Sequence, residues 1–168
     1  MPKMDELLRR LRKDKVEHVD EALQRKKEEW VDDLRELMSH IRTWLASAEA
    51  EQTVTIEQND IEIAEDDLGT YEVPALRILV RTKTPVTIHV RPQGMRVVGV
   101  IAAGNRRLVG AAGRVDLASG PSRVMLLRFK GDGSTQWKAI LDDGTKEDLN
   151  RDSFATAFEY LLPEPLQP

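Results

Sequence analysis

Between Lys3 and Ala50 the chain has no glycine and no proline. Glu, Lys, Arg, Leu and Ala dominate the stretch, and all are good helix formers. Asp5 and Glu6 stand where a helix N-terminus favours negative charge. Apolar residues recur at Leu23, Trp30, Leu34, Leu37, Ile41, Trp44 and Ala48. From Trp30 onward the steps alternate between four and three, the seam of a coiled coil or an amphipathic helix. Met4, Leu7, Leu8 and Leu11 form an earlier stripe out of register with it, and the change falls around residues 12–15. The segment is one long helix that shifts its buried face, or two helices that abut.

Length then constrains assembly. About 45 helical residues reach ~65 Å, whereas a remainder of ~100 residues has a radius of gyration of ~13 Å. A straight helix overhangs such a body, and its apolar edge needs cover. A second copy is the simplest partner. The sequence therefore predicts a homodimer joined through Leu23, Trp30, Leu34, Leu37, Ile41 and Trp44. The alternative is a helix packed on the sheet of its own chain. Insertion of Trp30 and Trp44 into a membrane surface is disfavoured, because the polar face carries about as many acids as bases.

From residue 52 the apolar period becomes two. Val54 and Ile56, Ile61 and Ile63, then Leu76, Ile78 and Val80, then Val86, Ile88 and Val90 alternate with polar or outward residues. Turn signals fall at Asp66–Gly69, Lys83–Pro85, Pro92–Gly94, Gly104-Asn105, Gly110–Gly113, Ser119–Pro121, Gly131–Gly133 and Asp142–Gly144. This spacing predicts a meandering antiparallel sheet or a partly open barrel of about seven strands. Val124–Leu127 is apolar on both parities, as in a central strand covered on both faces. Trp137, Ala139 and Leu141 mark a further strand. Asp152 is positioned to cap a closing helix with Phe154, Phe158, Leu161 and Leu162 on one face, and Pro163 stops it. The expected class is α+β: a helical arm over 1–50, a β-domain with a C-terminal capping helix over 51–162, and a frayed tail over 163–168.

The 168 residues include no cysteine, which excludes disulfides, thiolate nucleophiles and cysteine metal sites. Hydrophobic content is 40% and mean hydropathy −0.44, as in a folded, rather polar domain. The start lacks the apolar stretch of a signal peptide, and no apolar run approaches a membrane span. The sequence predicts a cytoplasmic location.

Net charge is only −4, yet it is unevenly spread. Residues 51–72 hold eight acids and no Lys or Arg, whereas residues 73–130 hold eleven Lys and Arg against one acid. Residues 131–168 are acidic again. Nine of those eleven cations are arginine, whose planar fork suits carboxylate or phosphate. Arg77, Arg81, His89 and Arg91 share the strand parity opposite the apolar residues. With Arg106, Arg107 and Arg114 they are the candidate contacts for an acidic protein or, as the second reading, for nucleic acid. Two facts weigh against nucleic acid: the block's one aromatic is Phe129, so stacking platforms are missing, and the whole chain is acidic. Pairing of these cations with the flanking acids across strands is the competing use for them.

Other motifs carry little. Gly110-Ala-Ala-Gly113 has the spacing of a KH loop, but its flanks read as strands, and no Gly-Lys-Ser/Thr follows as in a phosphate loop. It reads as a glycine turn or bulge. His18, His40 and His89 have no companions in a metal-binding pattern. Asp142-Asp-Gly144 lacks the preceding acids of a calcium loop. Ser119 and Ser134 are turn residues rather than nucleophiles. No catalytic residue, metal or cofactor is expected. The sequence predicts a non-catalytic interaction or scaffold module that self-associates through its arm.

Overall fold

A computed structural model describes residues 2–95, 110–131 and 133–163, with the side chains of 2 and 14–20 excepted. One helix, α1 (Pro2–Trp44), runs through the change of stripe, and a short α2 (Ala46–Ala50) follows it. Seven strands come next: β1 (Val54–Glu65), β2 (Gly69–Val80), β3 (Val86–Gly94), β4 (Arg114–Ser119), β5 (Ser122–Lys130), β6 (Thr135–Ile140) and β7 (Lys146–Asp148). The chain closes with α3 (Arg151–Tyr160). The strands pair antiparallel in chain order, β1 to β7, with β1 and β7 at opposite edges. The sheet is thus open, not a closed barrel.

The inner face of the sheet carries α1. Trp30, Leu34, Leu37, Met38 and Ile41 are fully enclosed there, joined by Val73, Ile78, Ile88, Val90, Val115, Leu117, Val124 and Leu126. The period of α1 from Trp30 onward therefore matches its own sheet, and the structure does not show the coiled coil expected for Trp30–Ile41. These side chains already lie at or below 1% exposure within one chain. Strand β5 is central, and Leu127 and Ile140 form a small second cluster on its outer side. Trp44 stacks on Phe154 at 5.2 Å between ring centres, and Phe154 on Phe158 at 5.8 Å, which ties the end of α1 to α3.

Three local features differ from expectation. Pro92–Gly94 is not a turn: β3 continues through it, with the register against β4 shifting between Pro92 and Gly94. The cap of α3 is Asn150, not Asp152; its side chain accepts from the N–H groups of Asp152 and Ser153, and the Ser153 hydroxyl accepts from the Asn150 N–H. The third concerns β1 and β2. Val54 and Ile56 are buried at one end of β1 but Ile63 at the other, and on β2 Val80, Ile78 and Leu76 give way to Val73 and Tyr71. Pairing along the two strands has no bulge. The ribbon itself must turn over, as two-stranded ribbons twist strongly, and its far half then meets α1, where Lys27 Nζ lies 5.8 Å from the Tyr71 ring centre.

Gly110–Gly113 leads into β4, and Arg106 and Arg107 beside it lie outside the described residues. The requirement at Gly113 is proximity: a Cβ there falls inside the Trp30 indole. Gly113→Ala is expected to cost about 1–3 kcal/mol by overpacking, read as a lower urea midpoint. Near the same indole, Trp30 Nε1, Tyr71 Oη and Glu65 Oε2 are buried without a partner in hydrogen-bond geometry. Burial, and then the Glu65 charge, push the Tyr71 hydroxyl far above its ordinary value of 10.0. The folded state thus favours the neutral phenol, and stability is lost as pH rises beyond the unfolded value. Tyr71→Phe removes an unsatisfied group, so it is expected to leave stability at neutral pH unchanged or slightly raised and to flatten the alkaline loss in unfolding measured against pH.

Candidate functional site

The described helix α1 divides into two parts by exposure. Its last turns are docked from Trp30 on, while Lys3–Lys13 is exposed throughout. Met4, Leu7, Leu8 and Leu11 are 56%, 50%, 44% and 56% exposed. They account for every exposed large apolar side chain among the described residues except Tyr160. Of the six residues expected to join two copies, Trp30, Leu34, Leu37 and Ile41 are enclosed by the chain's own sheet, and Leu23 and Trp44 are half-buried. The unsatisfied apolar edge is the earlier stripe.

What docks α1 is a charge as well as a seam. Asp33 falls between Trp30 and Leu37, on the buried side. Its Oδ2 accepts from Arg128 Nε at 2.8 Å and Nη2 at 2.6 Å, from Thr135 Oγ1 at 2.9 Å and from Lys130 Nζ at 3.3 Å. Arg128 is almost fully enclosed; its Nη1 donates to the Ala112 carbonyl at 2.8 Å, and its guanidinium lies 5.3 Å from the Trp30 ring centre. Arg128 and Lys130, two members of the basic block, are therefore part of the internal frame. Burial pushes the Asp33 carboxyl up, but the hydrogen bonds from Arg128, Thr135 and Lys130 and the Arg128 charge outweigh it and hold the group below its ordinary value. Sequence reasoning missed this cluster; an acid in phase with the seam was the one available signal.

The structure sorts the described candidate contacts on the outer sheet face. Arg77, His89 and Arg91 come together beside Asn59 around a shallow depression of about 200 Å³. Arg77 meets Glu57 at 3.5 Å, an exposed pair that contributes little. Arg114 does not belong with them as a free cation: its Nε and Nη2 grip the buried Asp116 at 2.8 Å and 3.1 Å. Arg123 also approaches Asp116, at 3.7 Å. Arg81 lies past the end of β2 and donates to Thr55 Oγ1 at 3.3 Å. The opposing acids neutralise this face only in part. Asp60, Glu62 and Glu72 stand exposed on the β1–β2 hairpin, without ion pairs to the basic strands among the described residues.

Among the described residues no group of three or more His, Asp or Glu could hold a metal, and no helix is long and apolar enough to cross a membrane. No protein-family model matches the chain, and comparison with curated proteins and with solved structures found no match.

Removing Asp33 leaves the Arg128 guanidinium enclosed without its counter-ion. Asp33→Ala is expected to cost about 3–5 kcal/mol, seen as a shift of the urea midpoint at constant slope. Because the folded carboxyl titrates below its unfolded counterpart, its contribution is present above the ordinary value of 3.8 and fades as pH falls through the folded value. The wild-type stability curve should steepen there, and that of Asp33→Asn should not.

Proposed function

We propose that the chain is a non-catalytic protein-interaction or scaffold module that self-associates through the N-terminal part of α1. The observation that carries the reading is the exposed stripe Met4, Leu7, Leu8 and Leu11 on a helix whose other end is fixed to a folded body. An isolated helix of that length is marginal in water. Here it continues α1 from the docked turns onward, so little ordering remains for association to impose. A twofold antiparallel arrangement suits it. Met4 then meets Leu11 of the second copy and Leu7 meets Leu8. Asp5 and Glu6 stand opposite Arg10 and Arg9, which gives a self-complementary patch. A parallel pairing sets like charges side by side.

In the same reading, Arg77, His89 and Arg91 on the outer sheet face receive carboxylates of an acidic protein partner. Nucleic acid suits that face less well, because no Phe, Tyr or Trp lines the depression on which a base could stack.

Light scattering coupled to gel filtration tests the arm. The full chain at micromolar concentration is expected at twice its 19.0 kDa mass, and the double substitution Leu7→Glu with Leu11→Glu at the monomer mass. Both leucines are exposed, so the unfolding midpoint should move by no more than about 0.5 kcal/mol equivalent. A wild-type monomer at that concentration removes the self-association reading.

A further inference from the structure

At the opposite end of α1 a groove opens beside the inner sheet face. This open groove of about 590 Å³ runs between the α1–α2 junction and α3. Val54 and Val80 belong to its floor, Trp44 and Ala48 to one wall, Phe154 and Phe158 to the other. Two guanidiniums stand in its lining, Arg81 and Arg151, with one acid, Glu159. Arg151 has no ion pair among the described residues, and the bond of Arg81 to Thr55 leaves it without a carboxylate.

We infer that this groove docks one amphipathic helical segment of a partner protein, apolar on one side and acidic along its flank. Three observations select that occupant. The apolar wall is built from Phe154 and Phe158, one helical step apart on α3, with Leu162 just past the helix end. It extends over about two helical turns, the span of i, i+3/i+4 and i+7 anchors on a helix laid in a groove. Two unpaired arginines against one acid set the sign of the visitor's charge. The groove is half open to solvent, whereas an acyl chain needs a pocket that encloses most of its surface. The inference does not rest on the arm. Leu11 and Trp44 are 33 positions apart on one helix, about 50 Å at 1.5 Å per residue.

Fluorescence anisotropy of the full chain with labelled helical peptides tests the inference. The probe is a peptide of roughly 16 residues with leucines at i, i+3, i+4 and i+7 and glutamates on its flanks. Its counterparts carry Gln, or Lys, in place of Glu. The Glu peptide is expected to bind in the micromolar range, the Gln peptide about tenfold more weakly, and the Lys peptide more weakly still. Ala155 is exposed and lines the groove, so Ala155→Trp fills it without opening the core. That variant, and Arg81→Glu with Arg151→Glu, should each weaken the Glu peptide at least about tenfold at an unchanged thermal midpoint. The protein carrying Leu7→Glu and Leu11→Glu should bind as the wild type does. Equal binding of the Lys peptide, indifference to Ala155→Trp, tighter binding of dodecanoate than of the peptide, or no binding at ~1 mM each overturn the inference.

Discussion

An enclosed guanidinium is costly unless a carboxylate meets it in good geometry, and much of this architecture follows from how Arg128 meets that condition. Its partner, Asp33, comes from the helix rather than from the sheet. The pair therefore fixes both which side of α1 faces the strands and how far along the helix docking begins. Trp30 sits one turn away, beneath the same guanidinium and against the bare backbone of Gly113. With these contacts in place, Leu34, Leu37, Met38 and Ile41 drop onto the inner face. The preceding turns of α1 are left to project.

The sheet divides its charge in a related way. The long β1–β2 hairpin is acidic and twists until its other side reaches α1, whereas the cations of β2 to β5 collect on the outer face or turn inward. Asp116, the one acid in that basic stretch, is buried and drawn upon by Arg114 and Arg123. Its presence explains why the basic face is less free than a count of arginines suggests. Arg77, His89 and Arg91 remain as a compact group because the β2–β3 register sets Arg77 directly opposite His89.

Much of this was legible before any coordinates. The absence of Gly and Pro between Lys3 and Ala50 announces the helix. The double parity of Val124–Leu127 announced a central strand, and the glycine-bearing turns after Asp66, Ser119 and Asp142 fell where they were expected. What failed had physical causes. Length alone assigns the whole seam to a second chain, yet the sheet of the same chain takes the turns from Trp30 onward. Asp33 and Arg128 are 95 positions apart, and no local period reports a pairing across that distance. Asn150 and Asp152 are both good caps; Ser153, which returns a bond to the Asn150 backbone, decides between them. Pro92 reads as a breaker, but β3 absorbs it at a shift of register.

Strand β1 closes one side of the sheet with twelve residues and, among the described residues, no strand beyond it. Such a border is a template on which further strands can add. Its exposed side chains include Glu57, Asp60 and Glu62, so an identical border approaching it meets like charge. The negative hairpin thereby keeps a seven-stranded layer finite. Neutralising it, by acid or by substitution, removes that like-charge barrier to edge-on addition.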